Sequence, residues 1–291
     1  MTQVAIITGA SSGMGFEAAQ LFHQKGYEVY GGARHVDQMA DLAKQDIHTS
    51  YLDVTNPQSN KDFVQTVLDE QGRIDVLVNS AGYGSGGALE DVPLQEAKNQ
   101  FNVNLFGLSD LTNQVLPTMR FQHSGQIINI SSIGGQMYSQ LMGWYYASKH
   151  ALETYSDSLR LELKPFGVKV IIIEPGGTST NWQQVENEHM LKATPKDSVY
   201  RPLVQAFANL SSSQAGAESR IFVSPERVAQ LIYKVTTLKH PKTRYQVTLI
   251  DKLAVHLFRQ LPYRALDAMI NLAVKAAGHQ AQETDASVST K

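Results

Sequence analysis

Cysteine is absent from all 291 residues. That excludes disulfides, thiolate nucleophiles and cysteine-ligated metals, and it is consistent with the cytoplasm. No metal site is expected. Long apolar runs are missing too: no stretch reaches the ~18 consecutive apolar residues of a membrane span. The first apolar stretch, Val4 to Ile7, is too short for a signal peptide and lacks a basic flank. Strong charge of one sign is also lacking. A formal net charge of −2 gives no electrostatic case for binding nucleic acid. Charged residues make up only 18% of the chain against 42% hydrophobic, which implies a substantial core in one large domain or two small ones.

What is present is an alternation of short β-branched runs with helical stretches. Gln3 to Thr8, Tyr27 to Ala33, Ile47 to Leu52 and Ile74 to Val78 read as strands. Helices fall at Gly13 to Lys25, Val36 to Gln45 and Pro57 to Gln71. Further on, a long helical stretch runs from Leu94 to Arg120, and strand Gln126 to Ile130 is followed by a helix from Tyr145 to Phe166 and strand Val168 to Ile173. This order implies an α/β fold: one doubly wound parallel sheet of Rossmann type with helices on both faces. Ligands of such sheets bind at the carboxyl ends of the strands.

Those ends carry the chemistry. After the first strand comes Thr8-Gly9-Ala10-Ser11-Ser12-Gly13-Met14-Gly15, a glycine-rich turn opening a helix, which suits a pyrophosphate. Its spacing is G-x-x-x-G-x-G. The second strand ends in Arg34, with no carboxylate before Asp37, which favours a ribose 2′-phosphate and hence NADP(H) over NAD(H); a solvated surface arginine is the plainer reading. Asp53-Val54 ends the third strand, where Asp53 either accepts from an adenine amino group or caps the next helix; Thr55 and Asn56 are better caps. The fourth strand closes in Asn79-Ser80-Ala81-Gly82. Asn104 lies mid-helix, either facing solvent or marking a local break that frees a carbonyl for water. Ser131-Ser132 could donate to a substrate carbonyl or simply form a turn.

Tyr145 and Lys149 are four residues apart on one helix, hence on one face. Free tyrosine titrates near ~10, and a neighbouring ammonium lowers that value. The pair is either a proton-transfer device or a surface tyrosine beside a solvated lysine.

Together these motifs resemble the short-chain dehydrogenase/reductase family of the one-domain type, from Val4 to about Ile250. The matches are the Thr8 to Gly15 turn, Asn79 to Gly82, Asn104, Ile130-Ser131-Ser132, Tyr145 through Lys149, and Pro175-Gly176 with Thr180. Ser80 departs from the family's usual second asparagine, a position that mainly stabilises the sheet. The resemblance implies a catalytic tetrad of Asn104, Ser132, Tyr145 and Lys149. Ser132 is favoured over Ser131 by its spacing of thirteen from the tyrosine, and Tyr145 over Tyr146 by its lysine.

The cofactor site is then expected at Thr8, Gly9, Ser11, Ser12, Gly13, Met14, Gly15, Arg34, Asp53, Val54, Asn79, Ala81, Gly82, Tyr145, Lys149, Pro175, Gly176, Thr178 and Thr180. The implied reaction is hydride transfer between nicotinamide and a small-molecule carbonyl or alcohol, in a homodimer or homotetramer. A non-enzymatic NADP sensor is the second reading.

Residues 181–220 fall where such proteins carry a substrate lid; Trp182, Met190, Leu191, Tyr200, Phe207 and Leu210 make it apolar. Met137, Tyr138, Leu141, Met142 and Trp144 add apolar surface across the cleft. The pattern resembles the hydroxysteroid and retinol dehydrogenase branch and suggests an apolar substrate. A helix from Pro225 to Thr237 and a strand from Arg244 to Leu249 complete the domain. Residues 251–278 form an amphipathic helical extension, expected to pack on the domain or a subunit neighbour rather than on a membrane surface. Residues 279–291 are polar and expected to be disordered.

Overall fold

A computed structural model of the chain describes residues 2–178, 182–214 and 222–272, with backbone alone for 182–186, 189 and 209–214. Seven parallel strands form one sheet: β1 (Val4–Thr8), β2 (Glu28–Ala33), β3 (His48–Tyr51), β4 (Val76–Asn79), β5 (Gly125–Ile130), β6 (Val168–Glu174) and β7 (Arg244–Gln246). Their order is β3-β2-β1-β4-β5-β6-β7, so the direction of winding reverses beside β1. Ile6 pairs with Tyr30 on one side and Leu77 on the other.

Alternation along each strand divides the core in two. Ala5, Ile7, Val29, Val78, Ile128 and Ile171 pack against Ala18 and Phe22 of helix α1 (Gly13–Gln24) and against Val228 and Ile232, which belong to the helix Pro225–Thr236. Val4, Ile6, Leu77, Ile127 and Val170 face the other way. They meet α3 (Pro57–Gln71), α5 (Leu108–Phe121) and α6 (Gly143–Leu163) through Val64, Val115 and Leu159. Between α1 and α3 lies only a short turn of helix, α2 (Ala40–Ala43), after a 3-10 turn at Val36–Met39. Asn56 starts α3, accepting from the N–H groups of Gln58 and Ser59, with Pro57 at the first helical position.

Two elements differ from expectation. The stretch from Leu94 to Arg120 is not one α-helix. Helix α4 (Leu94–Phe101) passes into a π-turn at Asn102–Gly107 before α5 begins. The last strand stops at Gln246, because Thr248 and Asp251 form a reciprocal capping box that starts α10 (Leu249–Gln260).

Helices α7 (Trp182–Ala193) and α8 (Arg201–Gln214) lie beyond β6 and share an apolar cluster of Ala88, Leu141, Met190 and Val204. Helix α9 is Pro225–Thr236. After α10 a further helical segment spans 263–272. It clips onto the 137–141 loop: the Tyr138 hydroxyl donates to Asp267 at 3.0 Å and the Gln140 amide to Asn271 at 2.7 Å. Val255 and Leu266 are buried, whereas Leu253 and Leu257 are exposed. Among the described residues no helix is long and apolar enough to cross a membrane.

Candidate active site

The carboxyl ends of β1 to β6 open on one cleft of about 820 Å³. Its walls bring together Gly9, Ser11, Ser12, Gly13, Met14, Arg34, Asp53, Val54, Ala81, Gly82, Ser132, Tyr145, Lys149, Pro175, Gly176 and Thr178 from the expected set. Thr180 lies outside the described residues.

The turn before α1 is built for close approach. Gly9 has φ +68°, and a Cβ there would sit 3.0 Å from Ala81 main-chain atoms. A Cβ on Gly15 would lie 2.4 Å from the Gly9 carbonyl oxygen, so α1 packs against the turn with no side chain between. Ser12 is extended and caps nothing with its side chain, and the first turn of α1 holds no acidic residue. The helix therefore directs uncapped N–H groups and its positive end at the cleft, a fit for a pyrophosphate.

Three expected cofactor residues lie just behind the wall. The Thr8 hydroxyl accepts from the N–H groups of Ser80 (3.0 Å) and Ala81 (2.9 Å), fixing the β4 loop to the β1 turn. Asn79 is buried and donates to Asn129 Oδ1 at 2.9 Å, across to β5. Gly15 is the buried close-packing point just described. Asp53 borders the cleft while its Oδ1 accepts from Thr55, at 3.0 Å from N–H and 2.8 Å from hydroxyl; the helix cap is Asn56.

Lys149 is the centre of the inner end. It is 6% exposed; its Nζ donates to the Ile130 carbonyl at 2.9 Å and sits 5.9 Å from the centre of the Tyr145 ring. Burial pushes its pKa down to about 8, against the raising effect of the Glu153 carboxylate. Ser132 faces the cleft, its Oγ accepting from Gly134 N–H at 3.0 Å and donating to the Pro175 carbonyl at 3.4 Å. The rival Ser131 also borders the cleft but is buried, with its Oγ beside Gly135 and Glu153. Tyr146 also reaches the cleft wall; its ring packs over Gly134 and its hydroxyl lies 3.4 Å from Ser139.

Asn104 is 1% exposed, not solvent-facing. It sits in the π-turn, where it bonds the main chain of Tyr83 and donates to Ser148 Oγ at 3.1 Å. Ser148 in turn donates to the Tyr145 carbonyl at 2.8 Å.

Glu17, Gln38, Tyr83 and Asn187 also line the cleft and were not singled out from sequence. Tyr83 directly follows the Asn79 to Gly82 turn, which is the signal that could have found it. Burial raises its phenol pKa, and Glu96, which accepts from it at 3.1 Å, adds to the effect. Met142 and Phe207, both on the expected apolar list, line the cleft, whereas Trp144 packs against Phe101 instead. No cluster among the described residues could hold a metal ion.

Comparisons with known proteins converge on this architecture. Residues 3–191 match the family model described as short chain dehydrogenase. A probable short-chain type dehydrogenase/reductase, VdlC, of Helicobacter pylori is 38% identical over 93% of this chain and 97% of its own. A 3-ketodihydrosphingosine reductase of Bacteroides thetaiotaomicron is 38% identical over 84% of this chain and 87% of its own. Among solved structures, a short-chain dehydrogenase from Streptomyces avermitilis superimposes with a TM-score of 0.74 at 30% identity, covering 95% of this chain and 97% of the other.

Proposed function

The chain belongs to the short-chain dehydrogenase/reductase family of NAD(P)-dependent oxidoreductases, and from that premise we propose that it is an NADP(H)-linked enzyme interconverting a carbonyl and a secondary alcohol on an apolar substrate. The single observation carrying this reading is the buried Lys149 ammonium held beside the Tyr145 ring in the cleft at the carboxyl ends of the strands. A buried cation with one main-chain acceptor is costly to keep, and strongly perturbed buried groups lining a cleft mark functional sites.

Ser12, Gly13 and Met14 would hold the pyrophosphate at the start of α1. Arg34 would take the 2′-phosphate, and Thr178 or Thr180 the nicotinamide carboxamide. When bound, the nicotinamide supplies or accepts the hydride. Ser132 donates a hydrogen bond to the substrate oxygen and stabilises charge developing there. Tyr145 gives that oxygen a proton in reduction and removes it in oxidation. Lys149 favours the phenolate and holds the cofactor ribose. Asn104, in its widened turn, keeps a water through which Lys149 exchanges protons with solvent.

The apolar cover supports the substrate class. Met142 and Phe207 face the cleft, backed by Leu141, Met190 and Val204. The relative named for 3-ketodihydrosphingosine suggests a ketone on a long alkyl chain. A non-catalytic NADP sensor has no observation in its favour. We expect a homo-oligomer, with the exposed Leu249, Ile250, Leu253 and Leu257 of α10 covered by a second copy. The test is NADPH and NADH oxidation by purified protein over ketones of increasing chain length, followed at the nicotinamide absorbance. Turnover with no rise in kcat/KM along the series would refute the apolar assignment. Absence of turnover with every carbonyl and alcohol tried would refute the whole reading.

A further inference from the structure

Directly behind Lys149 lies a buried ionic cluster that the mechanism above does not use. Glu153 is one turn further along α6, on the same face, and is buried. Arg244 of β7 donates from Nε to Glu153 at 2.9 Å and lies 3.4 Å from Glu174, which is fully buried at the end of β6. The guanidinium also pairs with Asp157, which Arg160 holds from the rim. Gln136 donates to Glu153 at 3.2 Å and to Glu174 at 3.4 Å, and Gln246 donates to the other Glu174 oxygen.

Three carboxylates thus face two guanidiniums. With all of them ionised the cluster holds one excess negative charge. Two groups can balance it: the ammonium of Lys149, or a proton on the glutamates. Glu153 Oε1 has no donor among the described residues; a proton shared with Glu174 would satisfy it. Burial and the Glu153 charge raise the Glu174 pKa to about 7, and Glu153 is the charge that opposes the burial effect on Lys149.

We propose that Glu153, clamped by Arg244 and backed by Glu174, is a positioning residue for the Tyr145–Lys149 pair: its charge is the internal counter-ion that sets the pH range in which that pair holds its proton. The inference rests on the functional reading above. The titratable groups facing Lys149 are Tyr145 and Glu153 on α6; behind Glu153 stand Arg244 on β7 and Glu174 on β6. Removing the Glu153 charge makes both Lys149 and Tyr145 easier to deprotonate, so the sign does not depend on which of them limits the rate.

The test compares wild type, Glu153→Gln and Glu153→Asp by pH–rate profile and by NMR titration of the Lys149 Nζ in cofactor-free protein. Glu153→Gln is expected to move both limbs of the profile, and the lysine titration, to lower pH by roughly half a unit to one unit. Glu153→Asp keeps the charge and should leave them close to wild type. Should Glu153→Gln fail to fold, Glu174→Gln replaces it, with a smaller shift in the same direction above pH 7. Reduced rates with unmoved limbs and an unmoved lysine titration would mean that the cluster only ties β7 to α6, and would overturn the proposal. If wild type shows no nicotinamide-linked turnover, the functional reading fails while the lysine titration still decides this one.

Discussion

The side-chain amide of Asn104 mimics a strand neighbour to Tyr83: its Oδ1 accepts from the Tyr83 N–H at 3.0 Å and its Nδ2 donates to the Tyr83 carbonyl at 2.9 Å. Only an amide satisfies both at once. Asn104→Asp keeps the acceptor but sets a buried carboxylate oxygen against the Tyr83 carbonyl, and Ser148 can donate to it only by giving up its bond to the Tyr145 carbonyl. We expect a loss of about 2–4 kcal/mol in urea unfolding, with faster amide exchange at Tyr83. An unchanged unfolding midpoint would show that this contact is dispensable.

That contact also marks the limit of what could be read from the chain alone. Strands β1, β4, β5 and β6 were legible because each carries a short run of branched apolar residues ending in a turn, and buried parallel strands need little else; β2 (EVYGGA) and β3 (HTSY) were placed by their position between helical stretches. The cleft followed from topology, since Gly9, Arg34, Asp53 and Ser132 stand at the carboxyl ends of β1, β2, β3 and β5. The break in the helix at Asn104 could be suspected but not located in space: its partner is 21 residues away, and the neighbouring Gly107 lies where a Cβ would be 2.4 Å from the Val54 carbonyl. The cluster of Glu153, Glu174 and Arg244 was invisible for a similar reason. Its members come from three elements, and the one local hint was a glutamate directly after the apolar run Val170 to Ile173.

Tyr145→Phe removes the phenol hydroxyl and little volume. Turnover is expected to fall by at least about 100-fold, while the dissociation constant for NADPH, measured by calorimetry, changes by less than about threefold. Near-normal turnover in this variant would transfer the proton-donor role to another group, with Tyr146 the first to examine.

Arg34 is exposed on the cleft wall, directly after β2. Arg34→Asp replaces a phosphate partner with one suited to a ribose hydroxyl. The affinity for NADPH should weaken by roughly 10- to 100-fold, the worth of a charge-assisted hydrogen bond, while that for NADH holds or improves. Equal effects on both cofactors would place the 2′-phosphate elsewhere.

Lys149 makes stability depend on pH in an unusual sense. Burial holds its folded-state pKa at about 8, below the ordinary 10.5. Between those two values the unfolded chain binds more protons than the folded one, so the lysine's contribution to stability rises as pH rises through that window. At neutral pH the ammonium is a buried charge that folding must accommodate. Relative to wild type, Lys149→Met should therefore lose ground as pH rises from 7 towards 10.5, whatever the sign of the difference at pH 7. The change in the difference is up to about 3 kcal/mol, read from urea midpoints of the cofactor-free proteins at pH 7, 8, 9 and 10. The lost bond to the Ile130 carbonyl offsets both ends equally and drops out of the comparison. A stability difference that stays flat from pH 7 to 10 would mean that Lys149 titrates as an ordinary lysine, and the argument for a tuned ammonium beside Tyr145 would lose its physical basis.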